Sequence, residues 1–282
     1  MSVSVTSSEL REVRGPSALG GGWRRFIDLL WLIALNKFKV TYLGTVLGYV
    51  WSLARPLMLF GVLLFVFQEI LRFGGQVPHY PVLLLFNIMF FSFFQEATQH
   101  AVTSVVEEEG IVRKTQFPRL AIPLASVLVA VFTLGVNLIA VFIFILGYGV
   151  GPYWTWLLLP VLVLPLLVIT SAMAAILSAL QVRYRDVQII WSVVAQALFY
   201  ATPVLYTIDF VPDQFRWLIL LNPLTPIFLV AREWIIDPSA PGAIEAAGGA
   251  PELLPAVAMF VAICVLSVWV FNREAPRMAE EL

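Results

Sequence analysis

Charge and cysteine are what this chain has least of. Of its 282 residues only 12% are Asp, Glu, Lys or Arg, while 60% are hydrophobic. Soluble domains carry about 25% charged residues, so these charges cannot cover a globular surface and lipid is the expected solvent. A net charge of −1 says nothing about nucleic acid or acidic partners; no nucleic-acid partner is expected. Cys264 is the single cysteine, which excludes an intrachain disulfide and a cysteine-based zinc site. His79 and His100 lie far apart in sequence. Each is expected at a helix end or polar loop rather than on a metal, and no metal site is expected. Residues 1–22 are polar and glycine-rich and lack the apolar core of a signal peptide. They read as a flexible cytoplasmic tail, as do residues 274–282.

Catalytic and nucleotide signatures are missing too. There is no G-x-x-x-x-G-K-[ST], no H-E-x-x-H and no G-x-S-x-G. Acids are scarce inside the apolar stretches, with Glu69 and Glu96 near their ends. Ion-coupled carriers place ionisable groups near mid-membrane, often on broken helices. Energy is therefore expected from another polypeptide, and no catalytic residue is expected here.

What is present is long apolar sequence. A hydrocarbon core about 30 Å thick needs roughly 20 apolar residues as helix. Six stretches suffice, near 44–71, 82–103, 120–147, 155–180, 188–207 and 252–271. They give an all-α, six-span transmembrane domain over 42–273. Basic residues concentrate before the first stretch (Arg24, Arg25, Lys37, Lys39), in the second-to-third connection (Arg113, Lys114, Arg119), in the fourth-to-fifth (Arg183, Arg185) and in the tail (Arg273, Arg277). The positive-inside rule then puts both termini in the cytoplasm of a multi-pass plasma (inner) membrane protein.

Two segments are not simple spans. Residues 23–41 begin WRRFIDLLWLIALNKFK, basic at both ends, and read as an amphipathic helix in the membrane interface. Residues 203–241 are apolar but broken by Pro203, Pro212, Pro223, Pro226, Pro238 and Pro241. Short helices that dip partway into the membrane from the outer face are expected there.

Arg55 is the one base deep in an apolar stretch, 11 residues past Gly44 or roughly 16 Å along a helix. It either faces a polar conduit or a partner subunit, where it would meet an anionic substrate, or snorkels to the interface. Asn87, Gln95, Asn137 and Gln196 read as interhelical hydrogen-bonding residues rather than a substrate site. Most of the 21 Phe, 9 Trp and 8 Tyr are expected to face lipid or its interface, with a subset free to line a channel.

Several motifs resemble one family. Lys37 to Leu57, KFKVTYLGTVLGYVWSLARPL, is similar in its Lys39, Tyr42, Thr45, Leu47-Gly48, Trp51 and Pro56-Leu57 to the permease subunits of type-2 ATP-binding-cassette exporters of polysaccharides: O-antigens, capsules, teichoic acids and galactan. Phe117-Pro118-Arg119 with Pro123, then Arg183-Tyr184-Arg185-Asp186, then Pro203, Asn222-Pro223 and Arg232 resemble its two cytoplasmic loops and outer segment. Thr41 and Leu43 depart from it where relatives carry bases, as does Arg55 where Asn is common. The resemblance implies a homodimer with two copies of a separate ATPase that holds ATP and Mg, moving a lipid-linked glycan outward. Tyr42, Trp51 and Arg55 become candidates for the conduit, and Pro203, Asn222, Pro223 and Arg232 for an outer gate.

The ATPase would dock on the segment EEEGIVRKTQFPR. A short helix near Val106–Thr115 would place Glu107, Glu108 and Glu109 first and Arg113 and Lys114 last, complementing its macrodipole. Phe117, in front of Pro118, is pushed out of the helical region. Gly110 either sits within that helix or caps the preceding span. Arg119, Arg185 and Asp186 complete the expected docking surface. Two other functions fit the composition: a type-2 exporter of small molecules or drugs, and an integral-membrane glycosyl- or phosphotransferase.

Overall fold

The computed structural model describes residues 22–43, 48–72, 77–110, 118–275 and 278, and among these it contains helices, turns and connections but no strand. The helices are α1 (Trp23–Leu43), α2 (Gly48–Leu64, continued by a π turn Phe65–Ile70), α3 (Tyr80–Glu107), α4 (Ala121–Gly147), α5 (Leu159–Arg183, entered through a 3₁₀ turn Trp154–Leu158), α6 (Val187–Ala201), α7 (Asp213–Leu221), α8 (Thr225–Ala231, continued by a π turn Arg232–Ile236), α9 (Ala243–Ala247) and α10 (Ala250–Glu274). Among the described residues five segments are long and apolar enough to cross a membrane: Val50–Ile70, Tyr80–Glu107, Ala121–Gly147, Trp154–Arg183 and Ala250–Glu274. The protein is an all-α polytopic membrane protein, as its composition requires.

Helix α3 is the axis. In its most apolar window 83% of residues are buried, against 11% for Val50–Ile70 and 17% for α10, so α2 and α10 lie at the periphery. Around α3 pack α4, α5, α2 and α6, while α10 packs on α5 and α1 on α4. Phe86 and Phe90 stack at 4.4 Å within α3, and Phe91 meets Phe199 of α6 edge-on. Trp191 Nε1 of α6 donates to Thr98 Oγ1 of α3 at 3.0 Å, a buried bond between helices.

The fifth expected span, 188–207, is helical only in part. Its helix α6 has 15 residues, about 22 Å, and stops at Ala201. Thr202 is extended (φ −93°, ψ 145°), because the Pro203 ring disfavours helix in the residue before it. The freed carbonyls find side-chain donors, as backbone within a membrane must. Tyr80 donates to Leu205 O at 2.9 Å. Asn87 Nδ2 donates to Pro203 O at 3.1 Å and Val204 O at 3.3 Å.

Segment 203–241 holds a broken pair. Asp213–Leu221 and Thr225–Ile236 bend by 99° at a short break and together have the length and apolarity of one further span. The elbow follows the same rule, since Asn222 before Pro223 is extended (φ −70°, ψ 120°). Asn222 holds it with both ends of its amide. Nδ2 donates to Thr202 Oγ1 at 2.8 Å and Oδ1 accepts from Leu224 N at 3.0 Å.

One end of the bundle gathers the bases. There Phe26, Val105, Ile122, Val182 and Phe271 form a second apolar cluster joining α1, α3, α4, α5 and α10. Arg183 bridges Glu274 at 3.9 Å. Val106 and Glu107 belong to α3 itself, and the helix breaks at Glu108 (φ −97°, ψ 24°), where three successive acids oppose the negative C-terminal dipole. Glu109 and Gly110 are helical again. The C-cap is thus Glu108, not Gly110, and Gly110 has no left-handed φ.

Asn87→Leu leaves two carbonyls without donors. We expect it to destabilise the detergent-solubilised protein by about 0.6–1.7 kcal/mol, the range for hydrogen bonds between membrane helices. Thermal unfolding reads this; an unchanged Tm contradicts the role given to Asn87.

Candidate functional site

A cavity of about 1020 Å³ lies within the bundle, with α3 as its floor and α2 and α6 as its walls. From α2 come Trp51, Ser52 and Arg55, from α6 Ser192 and Gln196, from the end of α1 Tyr42 and from α4 Asn137. The floor is Ser92, Gln95, Glu96, Gln99 and His100, spaced three and four apart so that they form one face of a helix. The sequence-derived conduit candidates Tyr42, Trp51 and Arg55 therefore share one cavity.

The cavity explains polar residues that the sequence reading placed elsewhere. Gln95, Asn137 and Gln196, expected to bond helix to helix, line it instead. Asn137 is 5% exposed and its Oδ1 has no protein partner; a buried amide oxygen at a cavity edge is set to accept from water or a hydroxyl. Asn87 does bond between segments, as expected. His100 is neither in a loop nor at a helix end but on the cavity floor, whereas His79 is the N-cap of α3. The signal that could have found this site was the i, i+3, i+4, i+7 repeat of polar residues from Ser92 to Gln99, hidden because each polar residue was weighed singly.

Beneath lies a smaller cavity of about 300 Å³ between α1, α3 and α4 that shares Tyr42, Glu96 and His100 with the first and reaches Lys37, Glu107 and Glu108. Helix α1 runs obliquely along α4 to build it. Lys37 Nζ donates to Ser126 Oγ at 3.5 Å. Tyr42 OH and Thr133 Oγ1 share a bond of 2.6 Å, and Trp31 and Phe38 both pack edge-on to Phe132. Thr133 lies 12 residues into α4, about 18 Å, so the last turns of α1 enter the bundle rather than staying at one end. Burial lowers the Lys37 ammonium pKa, opposed by Glu108 and then Glu107. These two glutamates thus face α1 as well as the end of the molecule.

The other expected docking residues lie at that same end. Arg119 is buried, with Nη1 unpartnered, and burial lowers its pKa. Pro118 O accepts from Ala121 N at 2.9 Å and starts α4. Asp186 is the N-cap of α6, and the turn before it is held by Gln181, whose Nε2 donates to Arg185 O at 3.2 Å while its Oε1 accepts from Gln188 N at 2.9 Å. Arg113, Lys114 and Phe117 lie outside the described residues. At the opposite end Arg232 pairs with Asp209 at 3.5 Å, so of the expected gate residues Arg232 holds a loop, and Pro203 and Asn222 hold the turn and the elbow.

If the cavity is aqueous, Gln99→Cys in a Cys264→Ser background reacts with a membrane-impermeant charged thiol reagent once both faces are accessible, and Ala174→Cys, buried in α5, does not. Equal inertness of the two contradicts a hydrated cavity.

The profile of the ABC-2 type transporter family matches residues 28–235. The chain is 32% identical over 212 residues to an O-antigen export system permease protein RfbA of Klebsiella pneumoniae, covering 74% of this chain and 81% of that one. A second protein of that name from the same species is 31% identical over 211 residues with the same coverage. That of Myxococcus xanthus is 27% identical over 205 residues, covering 72% and 78%. On these matches, and with its apolar helices, the chain belongs to the ABC-2 type transporter family and is a membrane permease subunit.

Proposed function

We propose that this chain is the transmembrane subunit of an ATP-driven exporter that carries a lipid-linked polysaccharide from the cytoplasmic side outward, with two copies enclosing the conduit. The carrying observation is the open polar cavity. Its lining offers amides (Gln95, Gln99, Asn137, Gln196), hydroxyls (Ser52, Ser92, Ser192) and the ring of Trp51, which is 60% exposed. Such groups suit a hydroxyl-rich chain that must slide: they exchange hydrogen bonds with water or sugar alike, and an aromatic face stacks without fixing a register. The relatives named as O-antigen export permeases support a glycan over a drug.

A polar trough facing hydrocarbon is costly. The two helices that wall this one, α2 and α6, carry exposed apolar residues, Met58 and Val62 on α2 and Ile189 and Val193 on α6. A second copy packing on both helices would seal the cavity into a conduit. Arg55 and Glu96 bring opposite charges from α2 and α3 to the same space, where Arg55 would meet the anionic linkage between glycan and lipid. Energy would come from two copies of a separate ATPase carrying ATP and Mg, docked at the basic end on Glu107–Glu109 and the Arg185-Asp186 turn, with the buried Arg119 behind that surface rather than on it. That end would face the cytoplasm of the inner membrane, with 203–241 gating the exit. The chain does no covalent chemistry in this reading.

Affinity purification in mild detergent tests it. An ATPase subunit is expected to copurify and to be stimulated by a lipid-linked glycan; turnover of a glycosyl donor by the chain alone overturns the reading. Arg55→Leu, at wild-type membrane abundance, is expected to abolish most export while leaving ATPase association intact. Retained full export contradicts the role of Arg55.

A further inference from the structure

A second concavity lies apart from the polar one, between α5, α8 and α10. It holds about 350 Å³, within the roughly 300–1,000 Å³ range of small-molecule sites. Its walls include Pro165, Pro223, Pro226, Trp234, Ala256 and Phe260, and no charged or amide side chain contributes. The space follows from the sequence. At Pro223 the chain turns through the 99° elbow into α8, which borders this space together with α5 and α10. Three proline rings and Ala256 lack the reach to fill the corner.

The mouth lies between Val161 and Val257, 52% and 54% exposed. Its depth can be read along α10. Val257 is five residues past Glu252 and 16 before Arg273, about 8 Å and 24 Å. Arg273 sits over the Trp269 ring at 5.2 Å, a pairing of base and aromatic suited to the headgroup level. The mouth therefore opens inside the hydrocarbon slab, near the headgroups of the leaflet at the start of α10. The face around it is continuous apolar surface: Leu254, Val261, Val265 and Val268 are each more than half exposed. Water finds no polar partner in such a space, and an empty one forfeits dispersion contacts along its lining.

We propose that this groove seats one acyl chain of a membrane lipid from that leaflet, held against the elbow of the broken helix pair. The chain touches Pro223 and Pro226 on the elbow side and Phe260 and Ala256 on the α10 side. It props α8 away from α10 and fills the corner that the prolines leave. Lipid hydrocarbon thereby becomes a structural part of the segment that carries the elbow. This holds whether or not the polar cavity carries a glycan.

The test uses the full chain in nanodiscs containing a phosphatidylcholine with a photoactivatable diazirine on one acyl chain, followed by peptide mapping. Labelling of Val230, Trp234 and Phe260 severalfold above that of Val265, on the open face of α10, is expected. Ala256→Phe with Val230→Phe, which fills the groove, should remove the excess at Trp234 and Phe260 and leave Val265 unchanged. Labelling at Trp234 and Phe260 no greater than at Val265 in the unaltered chain overturns the proposal, and this comparison needs no variant to fold. Cross-links from these residues to a second copy of the chain in place of lipid overturn it as well.

Discussion

A polar group inside a membrane must be given a partner, and that constraint organises this molecule. Helix α3 is the clearest case. Its first half, from Tyr80 to Phe91, is buried on all sides by apolar neighbours. Its second half carries Ser92, Gln95, Glu96, Gln99 and His100 on one face. Buried among hydrocarbon, that face would cost several kcal/mol per unsatisfied group. The helix is tolerated at the centre of the bundle because its polar face borders a cavity. Thr98, which does not reach the cavity, is tied locally by Phe94 O and Trp191. Folding and the proposed transport path thus share one feature, the polar face of the central helix.

Proline sets the other half of the design. Residues before proline leave the helical region, and here that happens at Thr202 and Asn222. The first event shortens α6 and the second turns a would-be span into an elbow. Both leave backbone carbonyls or amides to satisfy, and Tyr80, Asn87 and Asn222 supply the groups. Proline inside helices also makes room: Pro165 and Pro226 border the apolar groove beside the elbow.

Much of this was legible in the sequence. Apolar length gave the long helices, and the prolines of 203–241 gave the broken segment. The end of α6 was missed because apolarity continues to Leu205, although Pro203 marked the break. Span counting reads hydropathy and is blind to a backbone that changes course within an apolar run. The cavity was legible in part. Tyr42, Trp51 and Arg55 were recognised, while Glu96 and His100 were assigned to helix ends because neither their depth nor their shared face shows in composition. The oblique course of α1 could not be read at all. It depends on Lys37 meeting Ser126 and Tyr42 meeting Thr133, contacts across about 90 residues that no local pattern encodes. At the basic end, the three glutamates were read as part of one short helix; Glu107 instead closes α3 and Glu108 caps it, Glu109 and Gly110 are helical again, and the rest of that segment lies outside the described residues. Glu107 and Glu108 sit beside Lys37.

In the proposed exporter the polar cavity becomes a conduit when a second copy closes over α2 and α6. Oxidative cross-linking in native membranes tests it most directly, with single cysteines placed in a Cys264→Ser background at Val193 on α6 and at Val257 on α10, both more than half exposed in one copy. A covalent dimer is expected through Val193→Cys and only monomer through Val257→Cys. A dimer formed through Val257→Cys, with Val193→Cys remaining monomeric, contradicts it.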